Sequence, residues 1–204
     1  MTGHTGLVVR VVFGPDGRAV SGGTDGTVRV WDLQTGKQSS VLTGHSATVR
    51  FVAYSDRARV AATSSYDGSI RVWNLETGKE VRTLAGHGGP DDLMSLCFSP
   101  DGKYLLAPAA DLSLRLVDVA AGKEIKRIRT EHAYCAAFSP DGKRIVTGGY
   151  LDRIVRVWDI ESGTTLHSYE GHTGGVTCVT FFPDGKRIAS GGMDGTVRVW
   201  RAPR

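Results

Sequence analysis

Five aspartates, Asp25, Asp67, Asp111, Asp152 and Asp194, mark the chain at intervals of 42, 44, 41 and 42 residues. Six positions after each stands an aromatic or β-branched residue: Trp31, Trp73, Val117, Trp158 and Trp200. A period in the low forties, with short apolar runs and turn residues between the marks, is what a repeat architecture writes into a sequence. It also narrows function. A chain that spends nearly every residue on one repeated unit has little left for a private active site.

The first unit shows what is repeated. It reads as the run Val8 to Phe13, the turn Pro15-Asp16-Gly17, the run Ala19 to Gly23 and the turn Asp25-Gly26. Then come Val28 to Asp32, the turn Thr35-Gly36-Lys37 and the run Ser40 to Leu42. Asp-Gly between β-rich runs is a strong hairpin signal, because tight hairpin turns need the positive φ that Gly tolerates. No run is long enough, or has the 3.6-residue period, for a helix. The unit is therefore a four-stranded antiparallel meander. The Pro-Asp-Gly turn returns at Pro100, Pro140 and Pro183, and the second unit replaces it with Ser55-Asp56-Arg57. In the third run valines occupy one face, and the Trp with the stem of an Arg takes the other. Both faces need cover, and sheets stacked radially provide it, which predicts an all-β β-propeller.

The repeat continues from His4 to Trp200 without a composition break. One domain over 1–204 is expected, with units of about 3–43, 44–85, 86–130, 131–170 and 171–204. No apolar stretch approaches the roughly 20 residues that span a membrane, and Met1-Thr2-Gly3-His4 lacks the basic and apolar regions of a secretory signal. Cys97, Cys135 and Cys178 form no CxxC spacing, so buried thiols in a reducing, cytoplasmic compartment are expected, with no metal site. The net charge is +4, with Lys and Arg spread over every unit. Nucleic-acid binding wants a clustered basic face, and solvated turns explain this pattern more simply.

Gly44-His45, Gly86-His87 and Gly171-His172 at unit starts, Trp31-Asp32 and Trp158-Asp159 in the third run, and the Phe-Ser-Pro-Asp-Gly segments at Phe98 and Phe138 resemble the WD-repeat family, in its bacterial form. The resemblance covers essentially the whole chain, in register. It implies a hydrogen-bonded tetrad in each complete unit: His4, Ser21, Asp25 and Trp31; His45, Thr63, Asp67 and Trp73; His172, Ser190, Asp194 and Trp200. A His-Ser-Asp set also builds hydrolase triads. Its recurrence once per unit argues for a buried structural network instead, in which each desolvated polar group finds a partner.

The middle of the chain departs from the pattern. The third unit has Ala107 and Val117 at the Ser and Trp positions and extra residues around Gly88-Gly89-Pro90. The fourth has Glu131-His132 too close to its strand and an extra residue in Tyr150-Leu151-Asp152. These two blades are expected to be the least stable. Members of the resembled family usually draw the last blade's outer strand from the other chain end. The fifth unit here stops at its third strand. The expectation is five blades of four strands with the last lacking its outer strand, in an unclasped ring or an open fan. The edge near Val197 to Trp200 would then invite self-association, and the chain would be a portion of a longer repeat protein.

In proteins the chain resembles, partners bind on the narrow face around the central channel, at positions flanking the start of the inner strand and preceding the turn Asp. Those positions are Leu7, Val9 and Thr24; Thr48, Arg50 and Tyr66; Asp92, Met94 and Ala110; His132, Tyr134 and Leu151; Gly175, Thr177 and Met193. Arg50, Tyr66, Met94, Tyr134, Leu151 and Met193 would form an apolar, partly aromatic rim of the kind interfaces favour. A non-enzymatic scaffold for protein or peptide partners is the leading expectation. No phosphate loop, HExxH or kinase catalytic loop occurs, and no cofactor is called for. The alternative is the substrate-recruiting portion of a larger enzyme, since bacterial chains of this kind join propellers to protein-kinase domains.

Overall fold

In the computed structural model, residues 1–84, 95–109, 111, 113–130 and 133–203 are described. Among them every regular element is a strand, and the strands form five antiparallel sheets. Blade 1 holds β1 (Val8–Phe13), β2 (Arg18–Gly23), β3 (Val28–Asp32) and β4 (Gln38–Leu42). Blade 2 holds β5 (Val49–Ser55), β6 (Val60–Ser65), β7 (Ile70–Asn74) and β8 (Lys79–Leu84). Blade 3 holds β9 (Cys97–Phe98), β10 (Tyr104–Ala109), β11 (Ser113–Asp118) and β12 (Lys123–Arg129). Blade 4 holds β13 (Ala133–Phe138), β14 (Arg144–Gly149), β15 (Val155–Asp159) and β16 (Thr165–Tyr169). Blade 5 holds three strands, β17 (Val176–Phe181), β18 (Arg187–Gly192) and β19 (Val197–Arg201), and β19 pairs only with β18 among the described residues.

The turn chemistry follows the sequence. Gly26, Gly68 and Gly195, each after its turn Asp, sit at φ of 73°, 79° and 74°, where a Cβ would be strained. In the fourth blade Arg153 takes that place at φ 64°, one of two non-glycine residues with positive φ among the described residues. The turn Asp receives the amide of the residue two positions on, as from Thr27 to Asp25 Oδ1 at 3.0 Å and from Ser69 to Asp67 Oδ1 at 2.9 Å. This local bond offsets the cost of reversing the chain within two residues.

Each of blades 1 to 4 buries one face of its third strand against the next blade. Val20, Val28, Val30 and Leu42 of blade 1 pack on Val49, Val52, Ala61 and Trp73 of blade 2. Ala62, Ile70, Val72 and Leu84 of blade 2 meet Leu105, Ala107 and Val117 of blade 3. Leu106, Leu114, Leu116 and Ile128 then meet Ala136, Ile145 and Trp158, and Val146, Val155 and Val157 meet Val176, Phe181 and Ile188. The core is thus four apolar seams between blades, not one central mass. No such seam joins blade 5 to blade 1 among the described residues, and Val197 and Val199 of β19 are exposed. Of the two expected arrangements, the open fan is the one observed.

Candidate functional site

All three complete tetrads form. In blade 2 the Trp73 indole N–H donates to Thr63 Oγ1 at 2.8 Å, Thr63 Oγ1 lies 2.8 Å from His45 Nε2, and His45 Nδ1 lies 2.8 Å from Asp67 Oδ2. Blade 1 repeats the chain through Trp31, Ser21, His4 and Asp25 with bonds of 2.8, 2.7 and 3.0 Å. Blade 5 repeats it through Trp200, Ser190, His172 and Asp194 at 2.8, 2.8 and 2.9 Å. The donors can be assigned throughout. With Asp67 accepting from His45 Nδ1–H, the neutral ring's Nε2 accepts the Thr63 hydroxyl proton, which leaves the Thr oxygen to accept from Trp73.

The ionisation states fit that assignment. Burial pushes the His45 ring below its ordinary value, against the opposing pull of Asp67, so the neutral form is favoured. Burial raises the Asp67 carboxyl, but hydrogen bonds from the Ser69 hydroxyl, His45 and the Ser69 and Ser46 amides outweigh it and hold the group far below the usual carboxylate range. At Asp25 burial is again outweighed, here by the Thr27 and Thr5 amides. At Asp194 local desolvation is outweighed by the Thr196 hydroxyl and the Thr173 amide. The hydroxyls that a hydrolase reading would make nucleophiles are buried and bonded on both sides. The tetrads hold each blade's Gly-His loop against its Asp turn.

The two incomplete blades differ as their sequences suggest. In blade 4 Trp158 donates to Thr147 Oγ1 at 2.9 Å, and Asp152 forms an ion pair with Arg156. Blade 3 buries Ala107 and Val117 at the Ser and Trp positions, while Asp111 binds Ser113, Arg115 and Arg127. His132 lies outside the described residues, as do Glu131 and the Gly88-Gly89-Pro90 segment.

The face bearing the Asp turns presents the rim. Backbone bonds place the two rim positions of a blade side by side: Thr24 N–H to Leu7 O at 2.9 Å, Tyr66 N–H to Thr48 O at 3.0 Å, Met193 N–H to Gly175 O at 2.8 Å. Arg50 sets its guanidinium 5.0 Å from the centre of the Tyr66 ring and donates to the Tyr66 hydroxyl. Tyr134 stacks on Tyr150 with centroids 4.9 Å apart. Burial raises the Tyr134 hydroxyl, and the Arg50 charge opposes that rise; Phe51 of blade 2 and Tyr134 of blade 4 line the same cavity. Leu151 and Met193 are exposed on the same rim. Met94, Asp92 and Ala110 lie outside the described residues.

Behind the rim runs a central channel of about 270 Å³, lined by the inner-strand residues Arg10, Phe51, Cys135 and Cys178 and by Ser95, just before β9. Arg10 lies 5.6 Å from the Phe51 ring centre, extending the Arg–aromatic pairing inward. Sequence reasoning missed Tyr150, Phe51 and Arg10. Tyr150 belongs to the one-residue insertion, and Arg10 and Phe51 precede each unit's closing aromatic by three positions, a spacing from which they could have been found. The expectation of three buried thiols holds fully only at Cys135; it is corrected at Cys97, which is half-buried, and at Cys178, which is exposed on the channel side of β17. Burial pushes the Cys97 and Cys135 thiols up to about 12. A cavity of about 650 Å³ opens on the opposite face between Pro140 and Pro183 and includes no rim residue.

A family model described as WD domain, G-beta repeat matches the chain five times, over residues 1–32, 36–74, 78–118, 123–159 and 163–201. Among similar proteins, Mitochondrial division protein 1 of Aspergillus clavatus is 30% identical over 87% of this chain and 35% of its own length. Pre-mRNA-processing factor 19 homolog 2 of Arabidopsis thaliana is 30% identical over 88% of the chain and 35% of its own length. Small ribosomal subunit protein RACK1y of Oryza sativa subsp. japonica is 31% identical over 78% of the chain and 49% of its own length. The chain therefore spans between a third and a half of these relatives. Among the described residues no helix is long and apolar enough to cross a membrane.

Proposed function

The chain belongs to the WD-repeat family, whose members generally mediate protein–protein interactions, and from that premise we propose that it is a non-enzymatic scaffold holding a protein or peptide on its narrow face. The contact residues are Arg50, Tyr66, Tyr134, Leu151 and Met193, joined by Tyr150, with Met94 as a further rim position from the sequence. The observation that carries this reading is the pairing of Arg50 with Tyr66 and of Tyr134 with Tyr150 around one channel mouth, beside exposed Leu151 and Met193. Rigid aromatics and a guanidinium give large contact area at small entropic cost, which is why they dominate interface hot spots. The free thiols fit a reducing cytoplasm.

A photo-crosslinking amino acid at Leu151 tests the assignment, with one at Leu166, on the outer strand of the same blade, as control. The Leu151 probe should trap a discrete protein in the native cell, and the added substitutions Arg50→Ala, Tyr66→Ala and Tyr134→Ala should abolish the adduct. Equal trapping from Leu166, or an adduct that survives the triple substitution, would refute the rim.

A further inference from the structure

The Asp turn of blade 4 departs from the others in two ways. Gly23 N–H reaches Thr27 O at 3.2 Å and Gly192 N–H reaches Thr196 O at 3.1 Å, whereas Gly149 N–H reaches Ile154 O at 2.9 Å, across one more residue. After the turn Asp, blades 1, 2 and 5 place Gly26, Gly68 and Gly195, and blade 4 places Arg153 at φ 64°. Glycine enters that left-handed region freely, and a residue with a Cβ enters it under strain. Strain of this kind persists where the surroundings hold it, and it gathers at sites of function.

Arg59, at φ 53°, is the other described residue with a Cβ in this region. Its guanidinium bonds Glu76 Oε1 at 3.2 Å, so the unusual backbone comes with an ion pair inside its own blade. Arg153 has no such partner. Its side chain is exposed and forms no hydrogen bond or ion pair among the described residues. The carboxylate of its own turn, Asp152, is taken by Arg156. The turn carboxylates of the other blades are engaged as well, Asp25, Asp67 and Asp194 by histidines and Asp111 by Arg115 and Arg127. The charge that the blade 4 turn leaves uncompensated is positive.

The turn itself is held in place. Tyr150 stacks on Tyr134 with ring centroids 4.9 Å apart. It also lies over Gly175 of blade 5, where a Cβ would come within 2.6 Å of Tyr150 O and 2.9 Å of its ring carbon Cδ2. Asp152 Oδ1 accepts the Ile154 amide at 3.2 Å. Leu151, between these two anchors, is 69% exposed. An apolar side chain and a guanidinium thus stand two residues apart on a turn that has a blade on either side. Resting on the reading of the narrow face as the contact surface, we infer that Arg153 selects the partner. That partner is a peptide segment whose Asp or Glu side chain pairs with Arg153, beside an apolar residue that covers Leu151 and the Tyr150 ring. Charge pairs at such a surface fix orientation and exclude wrong partners.

Random peptides displayed on phage and selected on the immobilised chain supply the probe. The selected sequences should carry Asp or Glu next to an apolar residue. A synthetic peptide of the selected sequence, followed by fluorescence anisotropy, should bind Arg153→Gly about 10-fold more weakly, the loss of one charge-assisted contact. Arg153→Lys should keep most of the binding. Urea unfolding should show Arg153→Gly at least as stable as the parent, because glycine suits φ 64°. A residue kept for the fold would lose stability and binding together. Lys143→Gln removes an exposed cation from the opposite face and should leave binding unchanged. Selected peptides without acidic residues overturn the inference. So does equal binding to Arg153→Gly, or an equal loss at Lys143→Gln. Tyr66→Ala with Tyr134→Ala separates this inference from the reading beneath it. Peptides lost to the tyrosine pair but indifferent to Arg153→Gly leave the rim standing and remove Arg153 from it. Peptides indifferent to both, or no enrichment at all, remove the rim and the inference together.

Discussion

Thr63→Val offers the sharpest test of how the tetrads work. Thr63 is wholly buried, and its hydroxyl joins the Trp73 indole to the His45 ring at 2.8 Å on each side. Valine keeps the shape and removes the oxygen, so no cavity term enters. Two buried polar groups are then left without a partner, and each orphan costs about 1–3 kcal/mol. The expected loss is about 2–6 kcal/mol, or a fall in Tm of about 5–20 °C for a chain of this size. Trp73→Phe in the same background removes one orphan, so a double-mutant cycle should return a coupling of about 1–2 kcal/mol. Blade 3 shows the limit of the same logic. There Ala107 and Val117 replace the hydroxyl and the indole together, and both are buried. Urea unfolding followed by tryptophan fluorescence gives the energies, and hydrogen exchange in β6 and β7 checks that blade 2 is the part that opens. A Thr63→Val protein within about 0.5 kcal/mol of the parent would refute the account, because the hydroxyl would then be replaceable by water or by rotation of His45.

Acid should destabilise the fold in two stages. His45 has its folded value lowered from 6.5 by burial, so the unfolded chain binds the proton more tightly and stability falls as pH drops below about 6.5. Asp25, Asp67 and Asp194 are lowered from 3.8, so their contribution is complete above that value and is lost on further acidification. Denaturant midpoints that stay flat from neutral pH down to the carboxylate range would contradict the first stage. Gly22→Ala and Gly148→Ala should each cost about 1–3 kcal/mol, because the added methyl meets the next blade's valine. Gly191→Ala should cost less, having only Cys178 to displace among the described residues, and equal losses at all three would argue against the open fan. Amides of β10 and β11, in a blade without a complete tetrad, should exchange faster than those of β6 and β7, and equal protection would show that the tetrads add little.

The repeat and its chemistry were legible in the chain because they are local. The Asp-Gly turns, the alternation of Val28, Arg29, Val30 and Trp31, and the tetrad residues all sit at fixed offsets within one unit. Their bonds close inside that unit, between residues about 20 apart, so spacing alone locates them. Strand number in each blade followed for the same reason. The weaker legibility of Tyr150, Phe51 and Arg10 has the opposite cause, since each matters through a neighbour on another strand or blade.

What required the tertiary structure was everything set between blades. Whether five units meet around the axis depends on the summed rotation at four seams, and no single unit encodes that sum. The fan stays open, so identical valines are dry at Val28 and Val155 and wet at Val197. The same strand pattern is core or surface according to what lies across from it. Sequence determined the blade, because hydrogen bonds and turn conformations are settled within about 42 residues. Packing between blades decided the opening, the exposed halves of the seam and which aromatic side chains share the channel mouth, because apolar burial is non-directional and depends on which surfaces come together.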